Sequence, residues 1–231
     1  LSTHPYARDE YAVRIAVRAI EKKKPEVMAV YLKGVDELSH LFWQFKDRQF
    51  RRSMKQRPHD YAAASAANPV LRMPWSGESM TEGKLELGGE VVDRYLEWVD
   101  KAIGRILDAA GGNPDVIVMS DHGFTSMARE GGLTSPEHRL MGTLILHGPS
   151  FDPDAVLMAP SMLDITPTLL HMRRLPVGED MVGRPLVEAL EDQRPVDWIH
   201  TYEDSPIYRA DVEDQDESFE YDRLRALGYV E

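Results

Sequence analysis

The sequence contains no cysteine. Disulfides, thiolate metal sites and a cysteine nucleophile are therefore excluded within this chain, and a metal centre has to be built from imidazole and carboxylate. The compartment stays open, because a lack of cysteine is compatible with all of them. No apolar run approaches the length of a membrane span, and no stretch reads as a signal peptide. Positive charge is also in short supply: 27 Lys and Arg stand against 39 Asp and Glu, for a formal net charge of −12. That balance argues against nucleic-acid coating but does not bar a small anionic substrate. Much of the excess sits in one place. Between Glu203 and Asp222 nine acidic residues face Arg209 alone, so the rest of the chain is only mildly acidic. What is present in quantity is apolar side chain, 42% of 231 residues, which is enough for the core of one large domain.

Along the chain, residues 9–24 place Ala12, Ile15, Ala16, Ala19 and Ile20 at helical spacing. Lysines close the pattern at the negative end of the helix dipole, and Pro25 stops it. "EVMAVYLKGVD" (26–36) reads as a strand and "ELSHLFWQF" (37–45) as a helix. Residues 46–82 change character, with "KDRQFRRSMKQR", then alanines, then Pro69, Pro74 and Gly77. This stretch reads as an irregular cap inserted into the domain, and its basic run as a solvated face rather than a phosphate clamp. A long helix resumes at Glu90, with Val92, Tyr95, Leu96, Val99, Ile103, Ile106 and Leu107 on one face, until "GGNP" breaks it. "DVIVMS" reads as the second strand, "MGTLILHGP" as the third and "DAVLMA" as a fourth. "MLDITPTLLHM" reads as a short helix, and "LPVGEDMVGRPLVEAL" as a loop and a last helix. Helices alternating with unbroken apolar strands predict an α/β domain over residues 1–200, its mostly parallel sheet covered by helices on both faces. Residues 201–231 are expected to form an acidic tail with a short C-terminal helix, whose Leu224, Leu227 and Tyr229 pack back onto the domain.

In open α/β sheets the working residues gather beyond the carboxyl ends of the strands. The residues expected there are Asp36 and His40 after the first strand, Asp121 and His122 after the second, and His138 in the loop before the third. Carboxylate and imidazole without sulfur suit zinc first and manganese second. Asp36 and His40 are four residues apart, so on a helix they share a face and reach one ion. Asp121 and His122 are neighbours, which a strand would turn to opposite faces. Gly123 follows them, and a turn there swings both side chains to one side. Each piece alone also has a plain reading: a helix start for "DELSH", a turn for "SDHG", a surface loop for His138. It is the joint placement at one sheet edge that favours a metal site. His4, His59 and His200 lie in poorly structured stretches with no carboxylate partner in the pattern, His147 stands at a strand end where backbone satisfies it, and His171 falls in a short amphipathic helix, so all five stay outside the candidate set.

With these residues in view, the chain resembles the alkaline phosphatase superfamily, in its type I phosphodiesterase and nucleotide pyrophosphatase branch. The resemblance rests on "VYLKGVDELSHLFW", "VVDRYLEWVDKAIGRIL", "VIVMSDHGF", "EHRLMGTLILHGP" and "LDITPTLLHMRRLPVGEDMVGRPL", five segments in the family's order. It implies an alkaline-phosphatase-like fold and a metal-dependent hydrolase of phosphate esters acting on a small phosphorylated substrate. That hydrolase would use a dinuclear zinc site and a phospho-enzyme. Asp36, His40 and His138 would hold one Zn2+, and Asp121 and His122 the other. The family's nucleophilic threonine or serine belongs upstream of every quoted segment. The chain is therefore expected to be truncated at its N-terminus, to contain no assignable catalytic nucleophile, and to be inactive alone. Two relatives within the superfamily compete. Sulfatases bind one calcium mainly through oxygen, which His40 and His138 disfavour, and the motifs of cofactor-independent phosphoglycerate mutases resemble these less well. A non-catalytic metal-binding domain is the alternative from another class.

Overall fold

The computed structural model describes residues 4–60, 75, 78–128 and 134–203. The acidic tail from residue 204 onward and much of the expected cap lie outside them. The chain divides into two compact units, residues 1–112 with 124–139, and residues 113–123 with 140–231. Among the described residues no helix is long and apolar enough to cross a membrane.

The first unit is built on helices. Helix α1 (Pro5–Lys23) starts with proline at a position where the missing N–H costs nothing. It ends before Pro25, with Lys24 in the left-handed region (φ 45°) donating its N–H to the Ile20 carbonyl. The face it buries is Asp9, Val13, Ala16 and Ile20, while Ile15 is exposed. The stripe is thus shifted from the expected one, because a carboxylate, Asp9, takes one of its positions. "ELSHLFWQF" is helical as expected, within α2 (Gly34–Phe42) and a 3₁₀ turn, Trp43–Lys46. Part of the expected irregular cap is a helix as well. In α3 (Arg48–Gln56) the Asp47 carboxylate accepts from the Phe50 N–H as N-cap, and Phe50 and Met54 are buried one turn apart.

The long helix α4 (Glu82–Ala110) begins eight residues before the expected start at Glu90, capped by the Thr81 hydroxyl, and it ends at Gly111 (φ 63°). Both α1 and α2 pack along it. Phe45, Phe50, Met54, Met80 and Leu85 form the core between α3 and α4, with Phe42 and Trp75 against it. The Phe45 ring fills the space above Gly88, where a Cβ would come within 2.7 Å of its Cγ.

In the second unit, β1 (Val116–Met119) carries "VIVM" as expected. In the first unit, β2 (Gly123–Ala128) pairs with β3 (Thr134–Arg139). In the second, β4 (Leu144–His147) lies antiparallel to β1, from Val116 opposite His147 to Met119 opposite Leu144. The 3₁₀ turn Met162–Asp164 leads into α5 (Ile165–Met172). In the second unit β5 (Val177–Gly178) and β6 (Trp198–Ile199) are the pair that runs parallel among the described residues. Phe151, Leu186, Ala189 and Leu190 form its core, flanked by Ile117, Leu144, Leu146, Leu157 and Met172.

The composition is that of a mixed α/β protein, but the expected mostly parallel sheet is not what the described strands form. They make three two-stranded ladders. An unbroken apolar run reports burial and not the direction of pairing, so the pattern over-read its evidence. "EVMAVYLKGVD" belongs to no assigned ladder among the described residues, and Val27, Met28 and Tyr31 are exposed. A β-rich composition becomes a strand only where a partner edge meets it. "DAVLMA" turns and bends between Pro153 and Pro160, which offer no N–H to a ladder. The expected last helix shrinks to a 3₁₀ turn, Val187–Ala189.

One buried group gives the second unit a pH dependence. His171 on α5 is buried, and its Nε2 has no hydrogen-bond partner among the described residues. Burial, reinforced by the Arg194 guanidinium, holds its pKa below the usual histidine value, against the weaker pull of Asp192 and Asp197. The unfolded chain therefore binds a proton that the folded unit refuses. Its contribution to stability is complete above about pH 6.5, the usual value, and is lost as pH falls toward the lowered one. Urea unfolding between pH 7.5 and 5.5 is expected to show this decline, and the His171→Leu variant is expected to show a flatter profile.

Candidate metal centre

Asp36 lies in the first turn of α2 and His40 in its last, so the four-residue spacing puts both on one side as expected. His138 comes from β3, not from a loop. The three side chains converge within the first unit. The His138 Nε2 lies 2.9 Å from the His40 Nε2 and 3.5 Å from the Asp36 Oδ1. The His40 Nε2 lies 3.3 Å from the same carboxylate oxygen. Among the described residues this is the group of three or more such side chains able to hold an ion.

The donors can be tested for fit. In a tetrahedral zinc site with bonds of about 2.0–2.1 Å, neighbouring ligand atoms are about 3.3 Å apart. The separations of 2.9 to 3.5 Å bracket that value. Two imidazoles with one carboxylate also form the donor set of a catalytic zinc site, which leaves a fourth position open. Residues and geometry therefore fit a bound Zn2+.

Aromatic packing fixes the imidazole planes. The Phe124 ring stands edge-on to His40 at 5.0 Å and to His138 at 5.2 Å, with Trp43 behind it at 5.7 Å. A ring held against both imidazoles limits their rotation, as outer partners do at metal sites.

Helix α2 is anchored by a buried network that the sequence pattern missed. Asp9 is 1% exposed. Its Oδ2 accepts from the Gly34 N–H at 2.7 Å, at the start of α2, and from the Tyr95 hydroxyl of α4 at 2.9 Å. A carboxylate at a helix N-terminus satisfies an orphan donor and opposes the positive end of the dipole. Arg8 donates to Asp9 and forms a two-pronged pair with Glu37, the neighbour of Asp36, at 2.8 and 3.0 Å. That pairing raises the Arg8 pKa further. Burial, then the hydrogen bond to Asp9, pushes the Tyr95 phenol well above its usual range, so Tyr95 remains a donor at neutral pH. Gly34 is required by this packing, because a Cβ there would lie 2.0 Å from the Tyr95 Oη.

Asp121 and His122 belong to the second unit. The His122 Nε2 is 3.6 Å from the Asp121 Oδ1, and its Nδ1 is 3.2 Å from the Gly123 carbonyl. The chain after β1 brings the two side chains to one another, but not through the conformational freedom expected of Gly123, which opens β2 without a positive φ. His59, outside the candidate set, contacts Ser79 at 2.8 Å, and His200 lies 3.5 Å from Glu179.

These elements are those of a mixed α/β protein in which Asp36, His40 and His138 are grouped closely enough that they could hold a metal ion. The chain belongs to the type I phosphodiesterase / nucleotide pyrophosphatase family of the alkaline phosphatase superfamily, whose profile matches residues 5–159. Among curated proteins it is similar to 2,3-bisphosphoglycerate-independent phosphoglycerate mutases. It is 36% identical over 101 residues to that of Cereibacter sphaeroides, covering 41% of this chain and 19% of the relative. Identity is 40% over 96 residues to that of Dinoroseobacter shibae, covering 38% and 18%. It is 32% over 106 residues to that of Rhodopirellula baltica, covering 43% and 19%. The chain spans about a fifth of the length of these curated relatives. No solved structure matches it. The mutases, ranked behind the phosphodiesterases on motif resemblance, are thus among the curated proteins that match.

Proposed function

We propose that this chain carries the metal-binding part of an enzyme acting on phosphate esters, with Asp36, His40 and His138 holding one Zn2+. The observation that supports this most is the convergence of two imidazole nitrogens and one carboxylate oxygen within 3.5 Å. Membership of a phosphodiesterase family points the same way. We assign Asp121 and His122 to a second ion, as the family resemblance implies. A bound Zn2+ supplies concentrated positive charge that stabilises developing charge on phosphoryl oxygens. Such charge also explains how a chain with a net charge of −12 attracts an anionic substrate.

The chain's own residues do the positioning. Asp36 and His40 present their donors from one helix face, His138 closes the third side, and Phe124 keeps both rings in place. The likeness to phosphoglycerate mutases supports a second reading, in which the phosphoryl group passes to another hydroxyl of the substrate rather than to water. Cobalt(II) in place of zinc tests the common part. The cobalt-loaded chain is expected to show a visible band typical of low coordination number, which shifts on addition of phenyl phosphate and is absent from the Asp36→Ala variant. A band indifferent to phosphate esters would indicate a structural metal domain and contradict the proposal.

A further inference from the structure

Helix α3 concentrates positive charge in so acidic a chain, and among the described residues only its Lys55 is paired with a carboxylate, that of Glu82. Arg48, Arg51, Arg52 and Lys55 line one open hollow of about 510 Å3, with Gln56 at its end. Their spacing is three and four residues, so they stand on one side of the helix as like-charged neighbours, an arrangement that works against helix formation. The opposite side is fixed by Phe50 and Met54, both fully buried, and the N-terminus by the Asp47 cap. The helix therefore cannot roll to disperse the charge.

Several other guanidinium groups in the same unit are matched to carboxylates: Arg8 to Glu37, Arg94 to Glu90, Arg105 to Glu10. Arg48, Arg51 and Arg52 form no ion pair or hydrogen bond among the described residues. Glu82 faces this side, but Lys55 engages it at 2.5 Å, and that pair is the main reason its carboxyl sits below the usual range. Arg51 is also positioned. Its guanidinium lies across Gly89 of α4, where a Cβ would come within 2.8 Å of it. Three guanidinium groups on a face fixed by the core, one of them held by the neighbouring helix, pair with no carboxylate among the described residues, and Lys55 beside them is paired with Glu82.

We infer that this face is an anion site for a ligand bearing two or more linked phosphoryl groups. A single phosphate reaches one or two of the cations. A chain of phosphates follows the face, which runs about 10 Å from Arg48 to Lys55 at 1.5 Å per residue, and each guanidinium offers paired donors to phosphate oxygens. The site stands on different residues from the metal centre and does not depend on the zinc assignment.

Inorganic tripolyphosphate titrated calorimetrically into the metal-free chain at low ionic strength tests the inference. Tripolyphosphate is expected to bind at one site per chain, at least tenfold tighter than orthophosphate. Arg48→Gln/Arg52→Gln is expected to weaken it about tenfold or more while circular dichroism is unchanged, and Arg51→Gln provides an independent second variant. His138→Ala is expected to leave it intact. Absence of binding, equal binding of orthophosphate, or full affinity in both folded arginine variants would overturn the inference. So would a site size that grows with the length of an added oligonucleotide, which would mark a surface for nucleic acid instead.

Discussion

Replacing Asp9 with alanine is expected to lower the unfolding free energy by about 3 kcal/mol and to weaken metal binding as well. Two losses combine. The Gly34 N–H and the Tyr95 hydroxyl both point at this carboxylate in a buried place, and both are left without an acceptor. An unsatisfied buried donor costs about 1–3 kcal/mol. Arg8 also loses one of its two acidic partners, keeping Glu37. Against a typical total of about 5–15 kcal/mol, the effect is large. The change also frees the first turn of α2, on which Asp36 sits. Urea denaturation checks the first claim, and zinc affinity by competition with a chromogenic chelator checks the second. An Asp9→Ala protein with an unchanged midpoint would show that α2 is held by something else.

Phe45→Ala is expected to cost about 3–5 kcal/mol, as deleting a fully buried phenylalanine does when the cavity cannot collapse. Collapse is hindered here from several sides. Phe45 is 0% exposed and packs against Phe42, Phe50 and Trp75, over a glycine that has no side chain with which to fill the gap. It sits in the 3₁₀ turn directly after α2. Asp9 and Phe45 therefore anchor the two ends of α2, one by hydrogen bonds and one by packing. The Gly88→Ala variant pushes on the same ring from below and is expected to lose part of that stability while retaining all of the phenylalanine. Thermal and urea unfolding of both variants measure the two effects side by side.

The helices were largely legible because a long apolar stripe reports itself. α1, α2 and α4 follow their periodicity, although α1 buries Val13 where the pattern favoured Ile15. α3 was not legible, since Phe50 and Met54 are all that its apolar side offers among charged residues; the Asp47 cap was the available signal. The strands were legible in β1 and β4 and not in β2 or β3, whose "GFTSMA" and "TSPEHR" are too polar, and interrupted by Pro136, to read as buried. At the candidate site, Asp36, His40 and His138 were named from their joint placement beside expected strand ends. Their grouping around one ion came from the family resemblance, because nothing local to "PEHRL" brings His138 back to α2. Asp9 could not be read at all. A single aspartate in a helix looks like surface, and its meaning comes from Tyr95, 86 residues away.

The most direct test of the central claim is the zinc content of the purified, folded chain by elemental analysis, beside a His138→Ala variant with an unchanged circular dichroism spectrum. Convergence of Asp36, His40 and His138 on one ion calls for about one tightly held zinc or more per chain, and for one fewer in the variant. The affinity loss at that site should exceed the ~10–100-fold typical of removing an outer partner. A folded chain without zinc, or a variant that holds as much zinc as its parent, would contradict the assignment of these three residues as ligands.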